Sequence, residues 1–220
     1  MTDLSDRAYP SSPAPRKRPR EARREQLIEA TIKVLAQKGY ARATLSDVAK
    51  QAGLSHGLVN FHFQSKELLL EETLSYLSDE YRESWAQALA AAPQDPASQL
   101  DALLRADFSP QIFTPERLAA WVAFWGEAQS RPLYQEKCGA KDDDLARRKQ
   151  EICAALIDEG GYHGDAPRIS RALRLVTEGV WMDLVTMARP YDREEGLATV
   201  YCAAAAFFPR HFNAEGRIPG

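Results

Sequence analysis

The chain has 220 residues, 45% of them hydrophobic and 27% charged, a composition that excludes a disordered or fibrous protein. The formal net charge of −3 conceals a basic head, because residues 1–70 hold 12 Lys and Arg against 7 Asp and Glu. This asymmetry favours a polyanion as the partner of that region, with a solvated basic tail as the alternative. No apolar run reaches the roughly 18 residues of a membrane span, no secretory signal is recognisable, and the three cysteines fit no disulfide framework or zinc site. We therefore expect a cytoplasmic protein without a metal or cofactor.

The chain begins with a basic arm, and a helix follows it. Residues 1–19 hold four of the thirteen prolines and show no apolar periodicity, so we expect them to form a flexible arm. From about Arg20 the apolar residues recur at helical spacing, as at Ile28 and Ile32, and Gly39 is expected to end this helix.

Three further helices are predicted before the next group of prolines in the chain. A short second helix is predicted between Ser46, its N-cap, and Gly53. A third begins after Ser55 and a longer fourth after Ser65, each with the serine as N-cap. The fourth helix keeps its large side chains on one face: Leu70, Leu74, Leu77, Tyr81, Trp85 and Leu89.

The rest of the chain also shows helical periodicity. Prolines punctuate it from Pro96 onward and approximate the helix boundaries. The best-defined late helices span residues 167–188 and 192–208. No segment alternates apolar and polar residues with a period of two, so we expect no sheet. The sequence predicts an all-α fold.

The run TLSDVAKQAGLSHGLVNFHFQSKELLL, residues 44–70, predicts a helix-turn-helix. Gly53 can adopt a positive φ and so allows a sharp turn between two short helices. Their apolar faces can pack together, which leaves the second helix free to enter a DNA major groove. On that helix Asn60 can pair with adenine, Phe61 can contact a thymine methyl, and the small Gly57 permits close approach. An ordinary αα corner with a central glycine is the alternative.

This block resembles the TetR family of bacterial transcriptional regulators. The matching positions are Thr44, Val48, Ala49, Ala52-Gly53, Ser55, Gly57, Phe63, Ser65-Lys66-Glu67 and Leu69. The resemblance implies phosphate contacts from Thr44, His62 and Lys66, while residues 55–61 face the bases. Position 60 departs from the family, where a tyrosine is typical, so Asn60 stays open between base and phosphate contact. The predicted DNA-binding residues are Thr44, Ser55, His56, Gly57, Leu58, Asn60, Phe61, His62 and Lys66.

The TetR resemblance also implies a domain division and a homodimer. We expect a DNA-binding domain over residues 20–66, a helical effector-binding and dimerisation domain over 67–210, and a flexible tail over 211–220. Two heads at a fixed spacing match a palindromic operator. The candidate dimer interface is formed by the helices at 167–188 and 192–208, with the alternative that these helices only fill the monomer core.

The middle of the chain brings aromatic residues and acids together. Trp121 and Trp125 lie four residues apart and share a helix face. Aromatic rings around a quaternary ammonium, with one carboxylate, form a cage for choline-like cations, although aromatic stripes more often form a core. The predicted effector-binding residues are Asp107, Phe108, Trp121, Phe124, Trp125, Glu178 and Trp181.

This part of the chain resembles the C-terminal domain of BetI-type repressors, which control the choline-to-glycine-betaine pathway and respond to choline. The matching positions are 119–125 (AAWVAFW), Pro132, Asp142, Leu145 and 178–182 (EGVWM). Glu178 stands at a position where that group tends to carry an acid. The resemblance also implies an effector such as choline or a related quaternary amine. Lys141 departs from the pattern, because an added cation repels such a ligand unless it is paired.

Other functions stay open at this point. A TetR-type regulator could bind a different lipophilic, aromatic or polyamine effector. A protein of another class, a helical ligand-binding protein or enzyme that does not bind DNA, is the second alternative. No Ser-His-Asp or Cys-His arrangement is recognisable, so we do not expect an enzyme.

Overall fold

A computed structural model of the chain describes residues 20–127, 131–188 and 192–219. Within these ranges the helices are α1 (Arg20–Arg42), α2 (Leu45–Ala52), α3 (His56–His62), α4 (Lys66–Ala91), α5 (Pro96–Ala106), α6 (Pro115–Gly126), α7 (Arg131–Gly160), α8 (Ala166–Thr186) and α9 (Arg193–Phe207). One two-stranded antiparallel sheet joins β1 (Phe212–Asn213) to β2 (Gly216–Arg217). The predicted all-α fold is confirmed. The predicted arm over residues 1–19 lies outside the described residues.

Side-chain caps define where the helices of the head begin. Ser55 and Ser65 each accept a hydrogen bond from a backbone N–H three residues further on, and so cap α3 and α4 as predicted. The predicted cap at Ser46 is wrong. Thr44 performs this role for α2, which therefore begins at Leu45.

Two glycines with positive φ shape the head. Gly39 (φ 74°, ψ 173°) interrupts α1, and Gly53 (φ 65°, ψ 35°) ends α2 in the left-handed region that favours glycine. The turn after Gly53 lets α2 and α3 pack together through the buried side chains of Val48, Ala49 and Val59. The result is a helix-turn-helix.

The helix α4 runs from the head into the body. Its buried side chains, among them Leu70, Leu77 and Trp85, contact α1 on one side and α5 and α7 on the other. The helix α6 packs against both α1 and α8, and α8 packs against α7 and α9. Among the described residues, no helix is both long and apolar enough to cross a bilayer.

The end of the chain differs from the expected flexible tail and from the expected absence of a sheet. Phe212, only 1% exposed, stacks on Tyr201 with ring centroids 6.4 Å apart. Gly216 (φ 130°) lies so close to Tyr201 and Arg105 that an added Cβ would stand 3.4 Å from each. Burial of these aromatic rings holds a hairpin whose two-residue strands are too short to show a periodicity.

Candidate functional site

Helix α3 turns one face to the core and the other to solvent. Val59 is fully buried, whereas the large ring of Phe61 is 69% exposed. His56, Gly57 and Asn60 are exposed beside it, and an added Cβ at Gly57 would meet no atom within 4 Å. The ring of Phe61 is therefore available to a partner rather than used in the core.

The predicted DNA-binding residues at the helix starts are already used as caps. Thr44 and Ser55 are exposed, but their hydroxyl oxygens accept backbone hydrogen bonds from α2 and α3. Their helices can therefore offer phosphates the free N–H groups of the first turn. Lys66 donates to the carbonyl oxygen of Ala41 at 3.0 Å and keeps further N–H donors. Leu58 is half-buried beneath this surface.

Asn60 and His56 lie one turn apart on the exposed face of α3. The side-chain amide nitrogen of Asn60 is 3.2 Å from Nδ1 of His56. This contact orients the amide group of Asn60, which the sequence left open between base and phosphate contact. The pair presents both donors and acceptors to a partner.

His62 differs from the other predicted DNA-binding residues in its surroundings. It is half-buried, and its Nδ1 has no hydrogen-bond partner in the part of the chain that the structure describes. Burial, together with the nearby charges of Arg20 and Arg24, lowers the pKa of His62. The neutral imidazole is therefore favoured in the chain without DNA, and it can make a hydrogen bond to a phosphate through its ring N–H.

The arginines that begin α1 were not among the predicted DNA-binding residues. Arg20 and Arg24 lie close to His62 at the end of α3, and the guanidinium of Arg24 stands 4.8 Å from the centroid of the Phe63 ring. The start of α1 therefore lies beside the end of α3, where Arg24 also pairs with Glu72 at 2.6 Å. The clustering of Arg20, Arg23 and Arg24 in one turn was the available signal.

A cavity of about 690 Å³ lies in the body, between α4, α6, α7 and α8. At one end its wall consists of aromatic rings. Trp125 and Trp181 are nearly parallel at an interplanar angle of 8°, with centroids 6.3 Å apart. Three more rings continue the wall, each within 6.4 Å of another member: Tyr81, Trp121 and Tyr134.

Five of the seven predicted effector-binding residues line this cavity: Asp107, Trp121, Trp125, Glu178 and Trp181. The other two require a correction, because Phe108 and Phe124 are buried outside its lining. Phe108 packs on Phe113, and Phe124 contacts Tyr40 edge to face. Neighbouring helix residues point about 100° apart, so Phe124 faces α1 while Trp125 faces the cavity.

The buried acid Asp107 is fully paired. It is 1% exposed, accepts a hydrogen bond from the hydroxyl of Tyr81 at 2.7 Å, and lies 3.2 Å from the ammonium of Lys149. Burial and the adjacent Asp107 raise the pKa of Tyr81 well above its usual value, so the phenol stays protonated. Asp107 therefore holds α4, α7 and the end of α5 together and leaves no charge for a ligand.

A different acid in the cavity lacks a cationic partner. Asp142 accepts a hydrogen bond from the hydroxyl of Tyr134 at 3.1 Å and makes no ion pair with any described residue. Surrounding protein atoms raise the pKa of its carboxyl group. Glu178, by contrast, pairs with Arg174 at 2.6 Å. The sequence analysis did not place Tyr81, Tyr134 or Asp142 in the site.

Lys141, the residue expected to repel a cation, is directed elsewhere. Its ammonium lies 2.8 Å from a carboxylate oxygen of Asp79, and Lys141 does not line the cavity. The predicted conflict with a cationic ligand is thereby removed.

Arg117 joins the head to the wall of the cavity. From the first turn of α6 it donates to both carboxylate oxygens of Glu80 on α4, at 2.7 and 2.8 Å, and to Glu29 on α1 at 2.8 Å. Hydrogen bonds from Arg117 to Glu80, with the charge of Glu29, raise the pKa of the guanidinium further above its usual value. Glu80 adjoins Tyr81, and Arg117 lies one turn before Trp121.

The two parts of the chain match two family models. The model described as bacterial regulatory proteins of the tetR family matches residues 27–73. The model described as the C-terminal part of BetI-type transcriptional repressors matches residues 96–209. An HTH-type transcriptional regulator BetI from Paraburkholderia phytofirmans is 30% identical over 178 residues, which cover 81% of this chain and 89% of that protein.

Solved structures share the fold. A transcriptional regulator from Pseudomonas aeruginosa PAO1 has a TM-score of 0.71 at 25% identity, over 86% of this chain and 91% of that one. A regulator from Saccharomonospora viridis, solved in complex with choline, has a TM-score of 0.70 at 18% identity, over 87% of this chain and 98% of that one. The two matching models and the relative from Paraburkholderia phytofirmans show that the chain belongs to the TetR family of DNA-binding transcriptional regulators, and within it to the BetI-type repressors.

Proposed function

We propose that the protein is a homodimeric repressor that binds a palindromic operator and releases it when a quaternary amine such as choline occupies the cavity. The observation that carries this proposal is the set of five aromatic rings beside Asp142, a carboxylate without an ion pair in the described structure. A cation over desolvated aromatic faces gains about 2 kcal/mol. The choline complex of the regulator from Saccharomonospora viridis supports the same ligand class.

Asp142 is a better counter-ion for the ammonium than the acids favoured by the sequence. Asp107 is neutralised by Lys149, and Glu178 by Arg174. A ligand that carries an oxygen also fits the site, because the buried indole N–H of Trp181 has no acceptor among the described residues. Choline supplies both a cation and a hydroxyl oxygen.

Operator binding would use the exposed face of α3. His56, Asn60 and Phe61 would face base edges in the major groove, where Gly57 allows close approach. The helix starts after Thr44 and Ser55 would bind phosphates through backbone N–H groups. Further phosphate contacts would come from basic or polar side chains around this face: Arg20, Arg24, His62 and Lys66.

Dimerisation would place two such faces at a fixed spacing. Leu175 is 53% exposed and Met182 is 40% exposed. They lie seven residues apart on α8 and therefore share one face. A second copy of the chain would contact Leu175 and Met182 through the predicted interface of residues 167–188 and 192–208, and would leave Arg171, one turn before Leu175, at the rim of the contact. Isologous pairing of this kind matches the two-fold symmetry of a palindromic operator.

Release would follow from contacts that the ligand makes with α4 and α6. Tyr81 and Trp121 line the cavity, and the ion pairs of Arg117 tie the same two helices to α1 of the head. A ligand that fits better when α4 and α6 are shifted would favour a head spacing that mismatches the operator. It acts only through this difference in affinity between two states.

The proposal is tested by tryptophan fluorescence with choline and by operator binding in the same solutions. Trp125 is half-buried, and we expect Trp125→Leu to weaken choline binding more than tenfold while leaving operator affinity unchanged. Phe113→Leu, a half-buried aromatic residue outside the cavity, is the matched control and should bind choline normally. Operator affinity that does not change at saturating choline contradicts the choline mechanism.

A further inference from the structure

The cavity continues well beyond the aromatic rings. Its lining extends along α8 from Pro167 to Trp181 and along α7 from Tyr134 to Gln150. At 1.5 Å per residue these stretches measure about 21 and 24 Å. The volume of about 690 Å³ falls in the range of pockets that hold drug-sized ligands, roughly 300–1,000 Å³. Choline alone would occupy only the aromatic end.

The part of the cavity beyond the rings holds two arginines of α8, both of them exposed. Arg171 lines it and makes no ion pair with another residue that the structure describes. Arg174 lines it as well, and its hydrogen bond to Glu178 uses only Nη1. The other N–H groups of that guanidinium form a planar fork that matches the oxygens of a carboxylate or phosphate.

The charges of the lining therefore differ along its length. Asp142 stands near the rings without an ion pair, and Arg171 stands further along α8 without one. A simple cation would make no use of the guanidinium of Arg171, which is exposed at the cavity. Asp143 also lines the cavity and is exposed, so a ligand with two positive charges is the competing class.

We infer that, among quaternary amines, the cavity binds a zwitterion most tightly, with the quaternary ammonium at the aromatic end and an anionic group bound by Arg174 and Arg171. This inference rests on the function proposed above. The anionic group is a carboxylate, phosphate or sulfate, which share the oxygen geometry that an arginine fork recognises. Trp181 and Arg174 lie two turns of α8 apart, about 10 Å along the axis. The Arg174 side chain reaches toward Glu178, so a short aliphatic spacer between the two charges suffices.

The test compares two ligands that differ only at the far end. One is γ-butyrobetaine, and the other is its neutral-ended counterpart, in which a hydroxymethyl group replaces the carboxylate. Calorimetric titration of the full-length protein should show about tenfold tighter binding of γ-butyrobetaine. In the double variant Arg171→Gln/Arg174→Gln this ratio should fall to about one. Arg168→Gln, an exposed arginine on the same helix outside the lining, should keep the wild-type ratio.

Parallel titrations separate the remaining outcomes. Phosphocholine in place of γ-butyrobetaine distinguishes a phosphate from a carboxylate, and a preference for either over the neutral-ended compound supports the inference. Tighter binding of hexamethonium, a dication, than of either zwitterion overturns it. Equal binding of charged and neutral-ended compounds, with operator release by both, also overturns it but leaves the proposed function standing. If no quaternary ammonium compound binds, both proposals are wrong.

Discussion

Two aspartates in one cavity have opposite roles because their partners differ. Asp107 is buried, and the ammonium of Lys149 and the hydroxyl of Tyr81 satisfy its charge. Asp142 has only the hydroxyl of Tyr134 as a partner. A buried carboxylate that is already paired offers no charge to a ligand, whereas an accessible one without a cation is available to a cationic ligand.

Asp142→Asn tests the proposed counter-ion and its pH dependence. Desolvation by the surrounding protein raises the pKa of Asp142 above its usual value. The hydrogen bond from Tyr134 and the charge of Arg174 oppose this shift, while the charges of Glu178 and Asp143 add to it. In the wild type, choline affinity should therefore fall as the pH is lowered through this raised pKa. The Asn variant should bind choline about tenfold more weakly at pH 7 and should lose that pH dependence. A wild-type pH profile in the variant contradicts the assignment.

Lys149→Met tests the buried ion pair. The substitution leaves the carboxylate of Asp107 buried without a cation, so we expect the free energy of unfolding to fall by about 3–5 kcal/mol. Urea denaturation followed by circular dichroism measures the change. Arg147→Met, an exposed residue on the same helix, should alter stability by less than about 1 kcal/mol. Similar changes in the free energy of unfolding for both variants would mean that the buried ion pair contributes no more to stability than exposed charges do.

At the scale of elements, α4 and α6 form the route between cavity and head. Tyr81 and Trp121 lie in the cavity wall, and Arg117 binds Glu80 of α4 and Glu29 of α1 beside them. The edge-to-face contact between Phe124 and Tyr40 adds a second link between α6 and α1. A movement of α6 would therefore reach the head through direct contacts.

Arg117→Gln should separate ligand binding from operator release. The variant loses the charged contacts to both glutamates, while the side chains that line the cavity stay in place. We expect choline affinity within about twofold of wild type, and a reduced effect of saturating choline on operator affinity. Arg105→Gln, an exposed arginine of α5, is the control and should retain the full effect. An unchanged choline effect in Arg117→Gln would exclude this route.

The helices and turns that could be predicted from the sequence are those that depend on local signals. The caps at Ser55 and Ser65, the positive φ of Gly53 and the periodicity of the late helices each depend on neighbours within a few residues. Contacts between distant segments carry no such signal. Tyr81 and Tyr134 meet the tryptophans only after four helices pack together. Phe124 was misplaced because its sequence proximity to Trp125 conceals the turn of the helix.

At the scale of the whole molecule, operator binding requires two heads. The exposed apolar face of α8 at Leu175 and Met182 offers a surface for the second copy. The proposed dimer also gives the uneven charge of the chain a role, since the basic heads face DNA and the acidic bodies pair away from it.

Met182→Glu should disrupt the dimer. A charge on the proposed interface would have to be desolvated without a partner, so sedimentation should shift toward the monomer and operator affinity should fall more than tenfold. Leu68→Glu also places a charge on an exposed leucine, but outside α8 and α9, and it should leave the protein dimeric. A stable Met182→Glu dimer would place the interface elsewhere.

The most direct measurement of the central claim is the affinity of the full-length protein for DNA from upstream of its own gene, with and without choline, at two salt concentrations. The account predicts binding of a duplex by a dimer, with an affinity that falls steeply with salt because phosphates are neutralised by Lys and Arg, and that falls again when choline is added. Failure to bind any such duplex at low salt, or the same affinity at saturating choline, would contradict it.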